Sequence, residues 1–237
     1  EQVQLETHFM FETWLPMLAN DPSYNRNLTL VGKPLEIDSD APFMLGAEFT
    51  ERPRIVAIAP VAGGSGLYRV TQPLTELSKV GYVQPAIYRS NRMLTVTEVK
   101  RVRPDVLVLQ NAITDGHLEV LPLYKRYFPM CLKVMLLDDL VTSLPEENSL
   151  YRGFMQNFRD SKTRIRQALQ HVDRVIVSTE ALAEVICGYM GIYGDVAGRG
   201  GSLYSRKSAR STLRCLSKEN GGIESGFGCG TLRRASV

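Results

Sequence analysis

Three groups of residues in this sequence have types and spacings suited to chemistry. The first is Gly63-Gly64-Ser65-Gly66, followed closely by Arg69. Glycines let backbone approach an anion, and the amides that open a helix are unpaired and lie at its positive end. Arg69, one turn into that helix, adds a full charge to the same anion. The spacing is not G-x-G-x-x-G and no Walker lysine follows. A turn that serves packing alone is therefore the competing reading. The second group is Asp138-Asp139. Paired carboxylates suit general-base work or hydroxyl binding, and can also hold a metal. Helix capping or loop solvation competes. The third group is Asn111, Thr114, Asp115 and His117. A histidine titrates near neutrality and can take a proton from a hydroxyl; a structural loop histidine is the plainer alternative. His8 and His171 belong to no such group.

These residues gain meaning from the elements that must carry them. Arg54 to Pro60 is a short, apolar, β-branched run bounded by prolines, which predicts a buried strand ending just before the glycines. Tyr68 to Lys79 has helical spacing, with Pro73 tolerable only in a first turn and Gly81 as the stop. Further strands are predicted at Val83 to Tyr88, Val106 to Gln110, Leu132 to Leu137 and Arg174 to Ser178. Helices are predicted at Leu94 to Arg103, Leu118 to Phe128, Ser161 to His171 and from Thr179, as cap, to Tyr189. Strands alternating with helices imply an α/β fold: a Rossmann-like open parallel sheet with helices on both faces. The expected strand order is 3-2-1-4-5. Asp138-Asp139 and Asn111 then fall at the carboxyl edge, where open sheets bind ligands.

Three regions result. Residues 1–52 form a lead-in, with Phe9, Trp14, Leu15 and Leu18 on one face of a short helix limited by Pro16. Residues 53–190 form the α/β domain. Residues 191–237 hold ten of the nineteen glycines, with scattered serine and arginine and no periodicity. Such a segment buries little apolar area to offset its ordering entropy, so disorder is expected. It reads either as a flexible tail or as a translated wrong frame. The first residue is Glu1, not Met, which suggests a processed chain or a piece of a longer one.

Composition sets further bounds. Hydrophobic residues make up 44% and charged residues 22%, ordinary for a globular protein. No apolar run is long enough to span a bilayer. The formal net charge is +3, yet the tail alone carries eight Lys/Arg against three acids. The α/β region thus has no basic excess to suggest nucleic acid. Cys131, Cys187, Cys215 and Cys229 are far apart, which argues against a zinc site or a disulfide scaffold and for a cytoplasmic setting. Arg159, Lys162, Arg164 and Arg166 are basic and either form a solvated face or rest peripherally on anionic lipid headgroups at the inner face of a membrane.

Several motifs in order resemble the first domain of GT-B glycosyltransferases, specifically the family-4-like enzymes of bacterial surface-polysaccharide and O-antigen assembly. They are Gly64-Ser65-Gly66-Leu67-Tyr68-Arg69-Val70 with Pro73-Leu74, Arg103-Pro104-Asp105-Val106-Leu107-Val108-Leu109-Gln110, Leu136-Leu137-Asp138-Asp139-Leu140, and Val172-Asp173-Arg174 through Ser178-Thr179-Glu180. Trp14-Leu15-Pro16 and Asn20-Asp21-Pro22 resemble the lead-in of long members. The resemblance covers about Trp14 to Met190. It implies one of two Rossmann-like domains facing across a cleft, with a nucleotide-sugar as substrate, no further cofactor and no required metal. It implies that Gly63, Gly64, Ser65, Gly66 and Arg69 face donor phosphate, that Asn111 and Asp115 lie on the acceptor side, and that Asp138, Asp139 or His117 acts as base. The second, donor-binding domain is missing after Met190, so activity of this chain alone is not expected. A non-catalytic Rossmann-like binding module is the alternative from another class. An unrelated nucleotide-binding enzyme of flavodoxin type is a further rival, disfavoured by the lack of a phosphate fingerprint.

Overall fold

The computed structural model describes residues 2–33, 35–38, 51–60, 63–90, 92–140, 160–189 and 214–217. Six strands form one sheet: β1 (Arg54–Ile58), β2 (Gln84–Tyr88), β3 (Val106–Gln110), β4 (Leu132–Leu137), β5 (Arg174–Val177) and β6 (Arg214–Ser217). Their order is β2-β1-β3-β4-β5-β6. Strands β1 to β5 are parallel throughout. The α/β, Rossmann-like class is as the sequence predicts, but the order 3-2-1-4-5 is not. The chain steps from β1 to β2 on one side, then crosses back over β1 to lay β3 on the other. The reversal therefore falls between β1 and β3, as in the 2-1-3-4-5 arrangement.

One short segment of the tail forms a strand that the sequence pattern does not predict. Arg214–Ser217 runs antiparallel to β5, with Val175 opposite Leu216. A strand there pairs the backbone groups that β5 would otherwise leave open at a sheet edge. The rest of 191–237 lies outside the described residues, as does Arg159.

Helix α1 spans Gln2–Ala19. Helix α2 is continuous but not uniform: Gly64–Gly66 is α, Leu67–Thr71 is a π turn, and Gln72–Lys79 is α again. Then come α3 (Val96–Val102), α4 (Asp115–Tyr127), α5 (Ser161–Leu169) and α6 (Glu180–Tyr189). Pro73 lies well inside α2, not in its first turn. It has no N–H to give and its ring crowds the carbonyl four residues back. The π turn precedes it, and the Gln72 amide reaches Leu67 O, five residues back. Gly81 ends the helix at φ 78°, as predicted. Thr179 caps α6, its Oγ1 accepting from the Leu182 amide at 3.2 Å.

Alternation along the strands divides the core in two. Val56, Ile58, Leu107, Leu109, Met135, Leu137, Val175 and Val177 face α3, α4, α5 and α6 in the larger cluster. Ala57, Ala59 and Leu136 face Val70 and Leu74 of α2 on the other side. The amino ends of the strands are fastened by polar ties. The Asp105 carboxylate accepts from the Arg54 amide at 2.6 Å, and that of Asp173 accepts from the Lys133 amide at 2.7 Å. The buried Lys133 ammonium donates to Cys131 O at 2.8 Å and lies 3.0 Å from Asp173. Burial pushes the Cys131 thiol up to about 12, which leaves it inert.

The lead-in is longer and differently turned than expected. α1 runs through Pro16 to Ala19, and its buried stripe is Leu15 and Ala19 with His8, Phe11 and Leu18 half-buried. Phe9 and Trp14, expected on one face with Leu15 and Leu18, are exposed instead. The choice of face is set by α4: Phe11 meets the Tyr127 ring edge-on at 5.4 Å, and His8 Nδ1 lies 2.5 Å from the Tyr127 hydroxyl. Beyond the helix, buried Arg101 gathers the segment by donating to Ala19 O at 2.8 Å and Leu28 O at 2.7 Å.

At the start of α3, Glu98 is fully buried and fully occupied. Arg92 grips it through two nitrogens at 2.8 and 2.9 Å, and the Thr95 amide donates at 2.6 Å to close a capping box. Glu98→Ala removes both the cap and the ion pair, and is expected to lower unfolding stability by roughly 2 kcal/mol or more. The shift in urea midpoint measures it, and a loss within a few tenths would contradict the assigned role.

Candidate functional site

Parallel strands send all their carboxyl ends to one edge, so the loops after β1, β3, β4 and β5 meet there. Period-2 alternation then selects the side chains. Gln110 follows Val108 and Asp138 follows Leu136 onto the face that packs against α2. The opening of α2 descends onto that corner. Four residues converge: Ser65, Arg69, Gln110 and Asp138.

Asp138 is the centre. It is 6% exposed, a costly place for a carboxylate without partners. Gln110, 1% exposed, donates from Nε2 to Asp138 Oδ2 at 2.7 Å and to Ser65 Oγ at 2.9 Å. The Ser65 hydroxyl donates to the same Oδ2. Arg69 Nε lies 3.0 Å from Oδ1, an ion pair with contact distance but without hydrogen-bond direction. The Asp138 carbonyl accepts from Ser178 Oγ at 2.6 Å, which ties in the end of β5. The β1/β3 reversal is thus bridged by side chains of α2 and β3.

The glycine turn stays open. Gly63 has φ −82° and serves as N-cap of α2 with no side-chain cap bond. A Cβ on Gly63 would meet nothing within 4 Å, and one on Gly64 only the Tyr68 ring at 3.7 Å. Neither position requires glycine for packing or for dihedral angle. That counts against the packing-only reading and leaves the first amides of α2 approachable. Gly66 is buried within the helix.

The other sequence candidates separate. Asp139 is exposed. Asn111 adopts φ 50° and gives its amide to Leu136 O at 2.9 Å, so it turns the chain after β3. Asp115 is largely exposed and pairs with Arg164 at 2.6 Å, linking α4 to α5. Arg164 is therefore not free for a lipid surface. His117 is 3% exposed and caps α4: its Nδ1 accepts from the Thr114 amide at 3.1 Å and contacts the Thr114 hydroxyl. Burial lowers its pKa to about 4. A ring held neutral with Nδ1 occupied is a capping group, and among the described residues no hydrogen bond joins it to the Asp138 cluster.

Gln110 was not a sequence candidate. Its signal was present: a polar residue ending an apolar strand in phase with Val108. No cluster of metal-ligating side chains occurs among the described residues. Among them, no helix is long and apolar enough to cross a membrane. A separate cavity of about 330 Å³ lies away from this edge, lined by Met17, Tyr24, Leu30, Lys33 and Arg101 among others. Comparison with known proteins finds no matching family model, no matching curated protein and no matching solved structure.

His117 carries a pH prediction. Its folded pKa lies below the unfolded value of 6.5, so the folded state binds fewer protons between the two. The stability is present above pH 6.5 and is lost as pH falls toward 4, by roughly 3 kcal/mol in full. His117→Gln is expected to flatten that dependence in urea titrations run between neutral and mildly acid pH. An equally steep fall in the variant would assign the loss elsewhere.

Proposed function

We propose that this chain carries the acceptor-side, Rossmann-like domain of a nucleotide-sugar-dependent glycosyltransferase, whose transfer requires a second nucleotide-binding domain facing the carboxyl edge. The observation that carries the reading is the corner where the open glycine turn, Arg69 and the buried Asp138 converge at the β1/β3 reversal. Open parallel sheets bind ligands at such a reversal, and helix-opening amides with an arginine suit a diphosphate. Two of the sequence motifs that resemble family-4-like enzymes contain Gly64 to Arg69 and Asp138.

In the transfer, an acceptor hydroxyl attacks the anomeric carbon, the bond from that carbon to phosphate oxygen breaks, and the hydroxyl proton passes to a base. The nucleoside diphosphate departs with its added negative charge, which Arg69 and the amides of Gly64 and Ser65 are suited to balance. Asp139, exposed at the rim, is the carboxylate free to take the proton. Asp138 is already held by three partners and acts as a positioning residue for Ser65 and Arg69. The saccharide or lipid-linked acceptor, and O-antigen or other polysaccharide synthesis as the setting, follow from the motif resemblance alone.

A second reading fits the 2-1-3-4-5 order equally: a non-catalytic module that holds a phosphate-bearing ligand at the reversal. Isothermal titration of a nucleoside diphosphate and of nucleotide-sugars separates the two, using this chain and a form extended by a second nucleotide-binding domain. Tight binding and transfer only in the extended form support the transferase half. Binding by this chain alone, unchanged on extension and without transfer, supports the module. In either case Arg69→Ala is expected to weaken binding about tenfold. Gly63→Ala is expected to weaken it with at most a modest loss of thermal stability, because the added Cβ meets no atom within 4 Å. Full affinity in both variants would remove the site from this corner.

A further inference from the structure

Helix α1 has two apolar faces, and among the described residues only one is packed. Its inner face is fixed on α3 and α4 by Leu15, Ala19, the Phe11–Tyr127 contact and the Glu12–Arg126 ion pair. On the outer face Leu5, Phe9, Met10, Trp14 and Met17 are between 43% and 69% exposed. Large apolar side chains scattered singly need no explanation, but a contiguous set on one rigidly docked helix marks an interaction surface. Together these five present roughly 500 Å² of apolar area, near the upper range for a monomer's largest patch.

We propose that this face pairs two copies of the chain through α1 against α1. Leu5, Phe9, Thr13 and Met17 recur every fourth residue, and Met10 with Trp14 forms the adjacent row. Rows of this spacing interdigitate with rows of the same spacing, the commonest mode of helix packing. A second copy supplies the matching rows by construction. A two-fold axis beside residue 11 sets Phe9 of one copy against the small Thr13 of the other, and Leu5 against Met17, so large meets small at the centre. Full cover of these side chains on both copies would bury about 1,000 Å², the lower bound for a specific interface.

Charge favours the same occupant. The outer face carries one charged residue, Glu6, and Glu12 is already neutralised by Arg126. In the antiparallel pairing the two Glu6 side chains lie at opposite ends, away from each other. An anionic lipid surface is a poor match, because α1 holds acidic residues and neither Lys nor Arg.

Trp14 is the single tryptophan of the chain and sits on this face, so its fluorescence reports directly on cover. Light scattering and Trp14 emission are measured across a dilution series. The expected result is a dimer mass at high concentration, with a red shift of Trp14 as the mass falls to that of the monomer. Phe9→Glu is expected to raise the dissociation constant at least tenfold with far-ultraviolet circular dichroism unchanged. Tyr82→Glu, an exposed aromatic on another surface, is expected to leave the dimer intact. A chain monomeric at every concentration overturns the proposal, as does a dimer that survives Phe9→Glu. A monomer whose Trp14 emission shifts only on adding zwitterionic lipid vesicles overturns it in favour of a membrane.

Discussion

A carboxylate removed from water must be met by donors, and at Asp138 that requirement organises the functional corner of the fold. Its partners come from three places: hydrogen bonds from Gln110 at the end of β3 and from Ser65 in the first turn of α2, and the charge of Arg69 in the π turn. None is near Asp138 in the chain. Each is brought there by a different rule: parallel strands align the edge, alternation turns Gln110 and Asp138 to one face, and the short β1–α2 turn drops the helix onto them. Replacing any donor leaves buried charge short of partners, which is costlier than never having buried it. The corner is therefore a tie between α2 and the sheet as much as a binding feature.

Most elements were legible in the sequence because β1, β3, β4 and β5 are compact β-branched or leucine-rich runs with Pro or Asp beside them: Pro53 and Pro60 around β1, Asp105 before β3, Asp138 after β4 and Asp173 before β5. Alternation with helices gave the parallel class. The order was not legible, since local pattern does not say on which side of β1 the third strand lands. The sixth strand was hidden because Arg214–Ser217 is only four residues long, with basic and polar residues around a short apolar pair, and it pairs only with an edge far away in the chain. α1 was misjudged for a different reason. Both of its faces are apolar, so periodicity alone could not choose between the Trp14 stripe and the Leu15 stripe; contacts with Tyr127 and Arg101 chose.

The candidate site was half legible. Gly63 to Gly66, Arg69 and Asp138 were marked by residue type and by position after a strand. Gln110 was not, because a glutamine closing a strand looks like solvent-facing punctuation until the facing carboxylate is known. His117 and Asp115 misled in the opposite direction. Their types suggest chemistry, but the chain uses them for a helix cap and an inter-helix ion pair. A titratable residue at a helix start is ambiguous without its partners, since capping and catalysis ask for the same atoms.

The π turn in α2 has a consequence of its own. An extra residue in one turn shifts the angular phase between the segments before and after it by about 100°. The stretch that carries Ser65 and Arg69 and the stretch that carries Leu74 can thus each face its own target, although no single regular spiral would satisfy both. A one-residue deletion between Leu67 and Thr71 would restore regularity and swing one set off its mark. The irregularity works as a phase coupling between corner and core, and it makes the length of this helix, more than its composition, the quantity that cannot vary.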